Sequence, residues 1–179
     1  MQNFTISSPI LAIIGLGNPG RQYTHNRHNI GFRVVDTLAD TLHASWQTKD
    51  TMDLAQVTIN DNKIYLIKPQ TFMNSSGKVV PFLIKQGIKP ENILVVHDEL
   101  ELPFGQLKFK MGGSHKGHNG LKSIIGVVGD MFARLRFGIG RPENREDVPD
   151  YVLRDFKENK DEVQNLIDQS AQQILNLYR

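Results

Sequence analysis

The chain has 179 residues and no cysteine, which suits a single ordinary domain and excludes a disulfide framework, a zinc–thiolate site and a cysteine nucleophile. Its formal net charge of +2 does not identify a partner, and the apolar run 10–14 is too short for a signal-peptide core or a membrane span. We therefore expect a cytoplasmic protein with one domain over 1–179, a loose lead-in at 1–9 and a helix at 158–179.

The predicted elements alternate along the chain. Apolar runs and alternating patterns predict strands at 10–14, 55–59, 63–68, 93–96, 106–111 and 134–139. Helical periodicity predicts helices from 30 to near 46, through 82–84 as far as 87, over 121–128 and from 163 to 178. Strands separated by helices, with one hairpin, predict an α/β fold: a single-domain, mixed, mostly parallel twisted sheet with helices on both faces.

The charges are distributed unevenly. Residues 105–141 contain seven basic residues and one acid, Asp130, whereas residues 142–179 contain nine acids and five basic residues. A basic band of this kind suits a surface that contacts phosphates, although solvated strand and helix faces give the same count. The seven are Lys108, Lys110, Lys116, Lys122, Arg134, Arg136 and Arg141.

The segment GLGNPGRQYTHNRHN, residues 15–29, begins with G-x-G-x-x-G, the pattern of a dinucleotide-binding loop. In such a loop the last glycine opens a helix whose N-terminus faces the pyrophosphate. Here Pro19 lies inside the pattern and a polar segment, 21–29, delays the helix by about ten residues. We therefore expect no nucleotide cofactor, and titration with NAD(P) would test the alternative of an oxidoreductase.

Three polar segments, at 15–29, 68–74 and 97–101, follow predicted strands. Because ligands of such sheets bind outside the carboxyl ends of the strands, we expect these segments to form one site. The candidate base there is His28, since an imidazole titrates near neutrality. The carboxylate of Asp98, at the end of a buried strand, could orient that imidazole.

The other polar side chains offer amides rather than a nucleophile. The sequence has no G-x-S-x-G motif, and Ser75 and Ser76 are placed to begin a helix. Water is therefore the expected nucleophile. The carboxamides of Asn18, Asn74 and Asn119 can donate to a carbonyl or phosphate and accept from water or an amine.

Two histidine pairs, His25 with His28 and His115 with His118, have a spacing found among metal ligands. Neither pair forms H-E-x-x-H, and both lie in predicted loops rather than on a helix face. We therefore expect no catalytic metal.

The loop MGGSHKGHNG, residues 111–120, has glycines that allow its backbone to approach a phosphate closely. The basic side chains in or near it are Lys108, Lys110, Lys116 and Arg136. Together they favour an anionic ligand, without implying specificity for any base.

Five motifs in this order resemble the bacterial-type peptidyl-tRNA hydrolase family: GLGNPG with Tyr23 and RHNIGF, KPQTFMNSSG, VVHDELELPFG, KGHNGLKSI and RLRFGIGRP. They span nearly the whole chain, and five motifs are far more specific than one glycine loop. The resemblance implies a metal-independent esterase without a cofactor. Its substrate would be peptidyl-tRNA, whose tRNA it recycles for translation, and it would act as a monomer without an obligate protein partner.

The resemblance also implies roles for the matched residues. His28 would be the catalytic base, Asp98 its partner, and Asn18 a residue that helps to place water and substrate. The residues implied at the peptidyl end are Tyr23, Met73, Asn74 and Asn119. Those implied at the acceptor stem and 3′ end of the tRNA are Lys110 and Arg136, with Lys108 and Lys116 beside them.

Two positions depart from the family pattern. Asn26 replaces the usual threonine, and we expect it to preserve a local hydrogen bond. Lys116 replaces the usual glycine and could add a phosphate contact or restrict a lid. A different hypothesis, an RNA-binding scaffold that does not hydrolyse its ligand, has no need of His28, Asp98 and Asn18 together.

Overall fold

The computed structural model describes residues 4–179, so the first three residues of the predicted lead-in lie outside it. Seven strands form one sheet: β1 Ala12–Gly15, β2 Gln47–Lys49, β3 Met52–Ile59, β4 Asn62–Pro69, β5 Ile93–Glu99, β6 Leu107–Met111 and β7 Ala133–Gly138. The α-helices are α1 Ile30–Thr41, α2 Val80–Lys85, α3 Asn119–Val128, α4 Val148–Val152 and α5 Lys160–Asn176. No helix within residues 4–179 is both long and apolar enough to cross a bilayer.

The strand order is β2-β3-β4-β1-β5-β7-β6. The four inner strands, β4, β1, β5 and β7, run parallel to one another, and the pairs β2–β3, β3–β4 and β6–β7 are antiparallel. The sequence prediction of a mixed sheet is therefore confirmed. The inner strands are almost entirely buried because helices cover both of their faces, whereas β6 alternates between half-buried and exposed residues.

The core has two layers, one on each face of the sheet. Leu94 and Val96 of β5 point towards α1 and α5, with Val34 and Leu38 of α1 packed against that face. The intervening residue Val95 points to the other face, which α2 and α3 cover. This alternation along one buried strand is the physical reason that the sheet needs helices on both sides.

Two glycines bring the start of α1 against the end of β1. A Cβ on Gly15 would collide with the carbonyl oxygen of Gly31, and a Cβ on Gly31 would collide with the backbone nitrogen of Leu16. The close approach lets Leu16 accept a backbone hydrogen bond from Phe32, 3.3 Å away. The loop between β1 and α1, which carries His28, is therefore held near the carboxyl edge of the sheet.

The elements differ from the prediction in three places. Helix α1 ends at Thr41 rather than near residue 46, because the chain turns at His43, whose φ is +54°. Strand β2 was not predicted, since its three residues are all exposed and show no apolar alternation. Helix α4 was also missed, because five residues are too few to show a helical period.

Candidate active site

The three predicted polar segments meet at the carboxyl ends of β1, β4 and β5. The amide oxygen of Asn18 accepts a hydrogen bond of 2.7 Å from the backbone nitrogen of Met73. His28 contacts Asp98, the penultimate residue of β5. The parallel arrangement of the inner strands thus produces the convergence that their sequence order had predicted.

The imidazole of His28 is bound to the carboxylate of Asp98. Its Nδ1 lies 2.9 Å from Oδ2 and 3.0 Å from Oδ1. Because an ionised carboxylate can only accept, Nδ1 must carry a proton, and the lone pair of the neutral ring is then on Nε2. That Nε2 atom makes no hydrogen bond to any residue within 4–179, so it is available to take a proton.

A second histidine contacts the same carboxylate. The Nε2 of His118 lies 2.8 Å from Oδ1 of Asp98. Its Nδ1 accepts hydrogen bonds from the backbone nitrogens of Gly120 and Leu121, at 3.2 and 3.4 Å, and thereby caps the N-terminus of α3. Since Nδ1 accepts, Nε2 donates to Asp98, and both histidines are held in defined tautomers.

Asp98 is almost completely buried, with 1% of its side chain exposed. Burial alone raises the pKa of Asp98, but the coulombic attraction of His28 and His118 and the hydrogen bonds from both rings lower it by more. The net effect places the pKa of this carboxyl well below its usual range. Asp98 therefore remains ionised, as a partner that stabilises an imidazolium must.

Asn18 is fixed by hydrogen bonds to Asn29 within its own loop and to Met73 after β4. Its backbone nitrogen donates to Oδ1 of Asn29 at 2.9 Å, and Nδ2 of Asn29 donates back to the carbonyl of Asn18 at 2.8 Å. Because Met73 occupies the amide oxygen of Asn18, the NH₂ group is the part of this side chain left to bind a ligand.

A cavity of about 580 Å³ adjoins the two histidines and Asp98. Helix α4 and the residues before it form one wall, with Arg145, Val148 and Val152. The predicted site residues that line the cavity are His28, Asp98, Lys110, Lys116, Asn119 and Arg136. The cavity thus combines a histidine that has an unprotonated ring nitrogen with several cations, which suits a polyanionic ligand.

The remaining predicted site residues lie outside that cavity. Asn18 lines a second cleft, of about 340 Å³. Met73 is buried beneath α3, where a Cβ on Gly120 would lie 2.6 Å from its Sδ. The other three are the half-buried Tyr23, the exposed Asn74 and the exposed Lys108 on β6.

The predicted tRNA-contacting cations differ in their surroundings. The Nε of Arg136 donates to Oε1 of Glu99 at 2.8 Å. By contrast, Lys108, Lys110 and Lys116 are exposed and make no ion pair within residues 4–179. Of these four predicted cations, only the three lysines make no ion pair in the part of the chain that the structure describes.

The two departures from the family pattern have different consequences. Lys116 adopts φ +45° in the loop after β6, a conformation that glycine adopts without strain. Asn26 precedes the short helix Arg27–Asn29 but makes no side-chain capping hydrogen bond, so the local hydrogen bond expected of it is not observed. Its backbone instead forms a bridge to Asp155.

Sequence reasoning missed three residues that hold the site together. His118 entered only as half of a candidate metal pair, although a histidine just before a predicted helix start is a recognisable capping position. Asn29 and Arg27 flank His28 and carried no signal of their own. The buried guanidinium of Arg27 stacks on Tyr151, 3.9 Å from the ring centroid, and donates to the carbonyl of Tyr151, joining the His28 loop to α4.

The residues that could hold a metal ion differ from those that the sequence paired. His28, Asp98 and His118 each offer a ligand atom, and these atoms lie within 4.8 Å of one another. Nδ1 of His28 and Nε2 of His118 each donate a hydrogen bond to Asp98. A metal ion bound through these two nitrogens would have to displace the proton from each of them.

Comparison with known proteins identifies the family. The family model described as "Peptidyl-tRNA hydrolase" matches residues 12–179. The chain belongs to the peptidyl-tRNA hydrolase family. It is 47% identical over 155 residues to a peptidyl-tRNA hydrolase of Rickettsia prowazekii, covering 84% of this chain and 83% of that protein. The identity to one from Rickettsia canadensis is 42% over 170 residues, with coverages of 93% and 90%.

The fold agrees with a solved structure of the same family. The crystal structure of peptidyl-tRNA hydrolase from Acinetobacter baumannii matches with a TM-score of 0.88 at 39% identity. The match covers 94% of this chain and 88% of that chain. Both the sequence and the α/β architecture therefore support the resemblance to the peptidyl-tRNA hydrolase family that the five motifs indicated.

Proposed function

We propose that this protein hydrolyses the ester bond between peptide and tRNA by direct attack of water, with His28 as the general base. As a member of its family the protein is a hydrolase, and its substrate is peptidyl-tRNA. The proposal adds the mechanism and the residues that perform it.

The bond between Nδ1 of His28 and Asp98 is the observation that carries the mechanism. It leaves the lone pair on Nε2 of His28, a residue that lines the cavity of about 580 Å³. In the reaction, Nε2 takes a proton from water as the water oxygen attacks the ester carbonyl. The ionised Asp98 stabilises the imidazolium that forms, and the proton then passes to the departing ribose oxygen of the tRNA.

Amide groups stabilise the substrate around the attacked carbonyl. The free NH₂ group of Asn18 helps to place water and substrate, and Asn119 lines the cavity one residue beyond His118. Asn74 and Asn119 bind the peptidyl end of the substrate, while Tyr23 and Met73 shape the surface that receives this end. Neutral amides suit this task because they donate to a carbonyl oxygen without competing for the proton.

The cations around the cavity bind the nucleic acid. Lys110, Lys116 and Arg136 line the cavity, and Lys108 lies opposite Arg136 on the neighbouring strand. They contact phosphates of the acceptor stem and 3′ end. Such contacts contribute affinity and orientation but do not read bases.

Release of N-acetyl-aminoacyl groups from acylated tRNA tests the mechanism. We expect His28→Ala to lower turnover by at least about 10²- to 10⁴-fold while tRNA binding is largely unchanged. The matched control is His25→Ala, which removes an exposed histidine from the same loop. Each protein is assayed with and without EDTA, and we expect EDTA to have no effect.

Two outcomes would contradict the proposal. Equal losses of binding and turnover in a well-folded His28→Ala variant would remove His28 from the chemistry. A wild-type protein that binds tRNA but releases nothing would instead be an RNA-binding scaffold, and Asn26 and Lys116 would be the first positions to revert to the family pattern.

We also propose the organisation in which this activity operates. The chain acts as one domain, as a monomer in the cytoplasm, without a cofactor, a catalytic metal or an obligate protein partner. Its substrate is peptidyl-tRNA that has left the ribosome prematurely. Hydrolysis gives a free peptide and a free tRNA, and the tRNA returns to translation. Light scattering of the purified protein would test the monomer, and dialysis against a chelator before the assay would test the independence from metal.

A further inference from the structure

Arg136 and Glu99 lie side by side on neighbouring strands at the edge of the cavity. Strand β7, which carries Arg136, pairs directly with β5, which ends at Glu99. Both side chains are mostly buried, with 18% and 14% exposed, and both line the cavity. This ion pair is consequently part of the cavity wall rather than a solvated surface contact.

Glu99 is itself held in place. Its Oε2 accepts a hydrogen bond of 3.3 Å from the backbone nitrogen of Glu101, which leaves Oε1 for Arg136. Burial raises the pKa of Glu99, but the hydrogen bond from Arg136 and the charges nearby lower it to below its usual value. The carboxylate is therefore ionised and fixed to the main chain at the end of β5.

The contact engages only one of the three nitrogens of the guanidinium. Arg136 donates from Nε, and neither of its terminal NH₂ groups has a hydrogen-bond partner between residues 4 and 179. A guanidinium held at Nε cannot rotate freely, and its two terminal NH₂ groups form a planar fork that matches two oxygens of one phosphate.

We propose that Glu99 is a positioning residue, which holds the guanidinium of Arg136 so that both terminal NH₂ groups bind one phosphate of the tRNA. The proposal rests on the function proposed above, in which Arg136 contacts the nucleic acid. Glu99 touches neither the ester nor the phosphate in this arrangement, and it acts only through Arg136.

Simple electrostatics makes the opposite prediction. A carboxylate beside a cation lowers the positive potential of the cavity, so its removal should tighten the binding of a polyanion. Positioning requires that removal weaken binding, because the freed guanidinium must lose rotational freedom when it binds phosphate. The sign of the change therefore separates the two explanations.

Four variants isolate the positioning role. Glu99→Ala removes charge and acceptor, Glu99→Asp keeps the charge but is one methylene too short, and Glu99→Gln keeps an acceptor oxygen without the charge. Glu101→Ala is the matched control, because it removes a carboxylate from the same cavity lining, where Glu101 pairs with Arg141 but both side chains are well exposed. Each is made in the wild-type and the Arg136→Ala background.

Two measurements are made on every variant: KM and kcat for N-acetyl-aminoacyl-tRNA, and the Kd for deacylated tRNA. We expect Glu99→Ala and Glu99→Asp to raise KM and Kd by about fivefold with kcat nearly unchanged, which is the typical cost of immobilising one flexible side chain on binding. Glu99→Gln should remain close to the wild type, and Glu101→Ala should have little effect. In the Arg136→Ala background no Glu99 variant should change binding further.

The proposal is overturned if Glu99→Ala binds tRNA more tightly, if Glu99→Asp behaves as the wild type, or if the Glu99 effect persists without Arg136. Failure of the proposed function is recognised separately, since the wild type would then release no aminoacyl group. The Kd values for deacylated tRNA would still decide the role of Glu99 in that case. Thermal unfolding of each variant shows that it is folded before its binding is compared.

Discussion

The two polar regions beside the cavity differ in how their charged side chains are stabilised. The proposed catalytic centre, which we define as His28, Asp98 and His118, has at most 11% of any side chain exposed, and both histidines hydrogen-bond to Asp98. The cationic rim comprises Lys110, Lys116 and Arg136 at the cavity, with Lys108 beside them on β6, and its lysines extend into solvent. The side chains of the centre are fixed by hydrogen bonds within the protein, whereas the three lysines of the rim make no ion pair within residues 4–179.

The difference follows from solvation. A buried, ionised carboxylate without hydrogen-bond partners would be strongly destabilising. Asp98 can therefore stay ionised only because His28 and His118 both donate hydrogen bonds to it. An exposed lysine has no such cost and can keep its full charge without a partner, at the expense of a fixed geometry. We therefore expect substitutions in the centre to have large effects on catalysis and substitutions in the rim to have small effects on binding.

The largest effect should come from Asp98→Asn. The variant removes the charge that stabilises the imidazolium and no longer dictates which nitrogen of His28 carries the proton, so kcat should fall by about 10³-fold or more. Single-turnover hydrolysis under saturating enzyme measures this loss independently of tRNA binding. Retention of more than a tenth of the wild-type rate would show that the centre is not organised by Asp98.

The free energy of unfolding of the protein should depend on pH through His97, which is buried next to Asp98 on β5. Burial and the neighbouring His118 lower the pKa of His97 from 6.5 to about 4, against the opposing effects of Asp98 and Glu99. Because the folded pKa is depressed, the unfolded state binds more protons, so stability is fully present above pH 6.5 and is lost as pH falls towards 4.

The loss should amount to about 3 kcal/mol across this range. Urea unfolding at pH 7 and at pH 4.5, for the wild type and for His97→Asn, measures it. The variant should lack most of the difference between the two pH values. An equal difference in both proteins would assign the acid sensitivity to other groups.

A smaller effect should follow from His118→Asn. Asparagine is a good N-cap residue, so the variant keeps the cap of α3 but cannot reach Asp98 as the imidazole does. We expect kcat to fall by about tenfold and the free energy of unfolding to fall by about 1–3 kcal/mol, because the buried Asp98 loses one of its two hydrogen-bond partners. His118→Ala should show the same kinetic loss and be less stable by a further ~1 kcal/mol, measured by urea unfolding.

In the rim, Lys110→Ala should weaken tRNA binding by a few-fold and leave kcat almost unchanged. Each lost phosphate contact should also flatten the plot of log Kd against log salt by about one unit of slope. Binding measured at four salt concentrations, with Lys122→Ala on the exposed side of α3 as a control, tests this. An unchanged slope would exclude Lys110 from the phosphate contacts.

The smallest effect should be that of Lys116→Gly. Glycine relieves the strain of φ +45°, and the free energy of unfolding should rise by up to about 1 kcal/mol, since the greater freedom of glycine in the unfolded chain offsets part of the gain. Urea unfolding and tRNA binding of the same variant separate the two roles of this lysine. Stabilisation with weaker binding would show that strain is tolerated here for a phosphate contact.

Much of the centre could be predicted from the sequence. A histidine after one strand and an aspartate at the end of another predict a base and its partner, because parallel strands bring their carboxyl ends to one edge. His118 could not be assigned in this way. Its two nitrogens contact a helix end and a carboxylate, and only the docking of α3 against β5 brings these groups together.

The rim shows the same limit. The sequence grouped Arg136 with the three lysines as expected contacts of the tRNA, since nothing in the chain order places a carboxylate beside it. Strand β7 pairs with β5 although β6 lies between them in sequence, and this strand order brings Glu99 within 2.8 Å of Arg136. The pairing of non-consecutive strands depends on the packing of the whole sheet, which local patterns do not contain.

The sequence by itself therefore determined the family and the α/β class and led to the residue types proposed for the reaction, because hydrophobic periodicity and motif chemistry are local properties of the chain. The tertiary structure decided which carboxylate each cation meets, which tautomer each histidine adopts and which side chains share the cavity. Those properties depend on distances between residues far apart in sequence, and only the folded sheet with its docked helices fixes these distances.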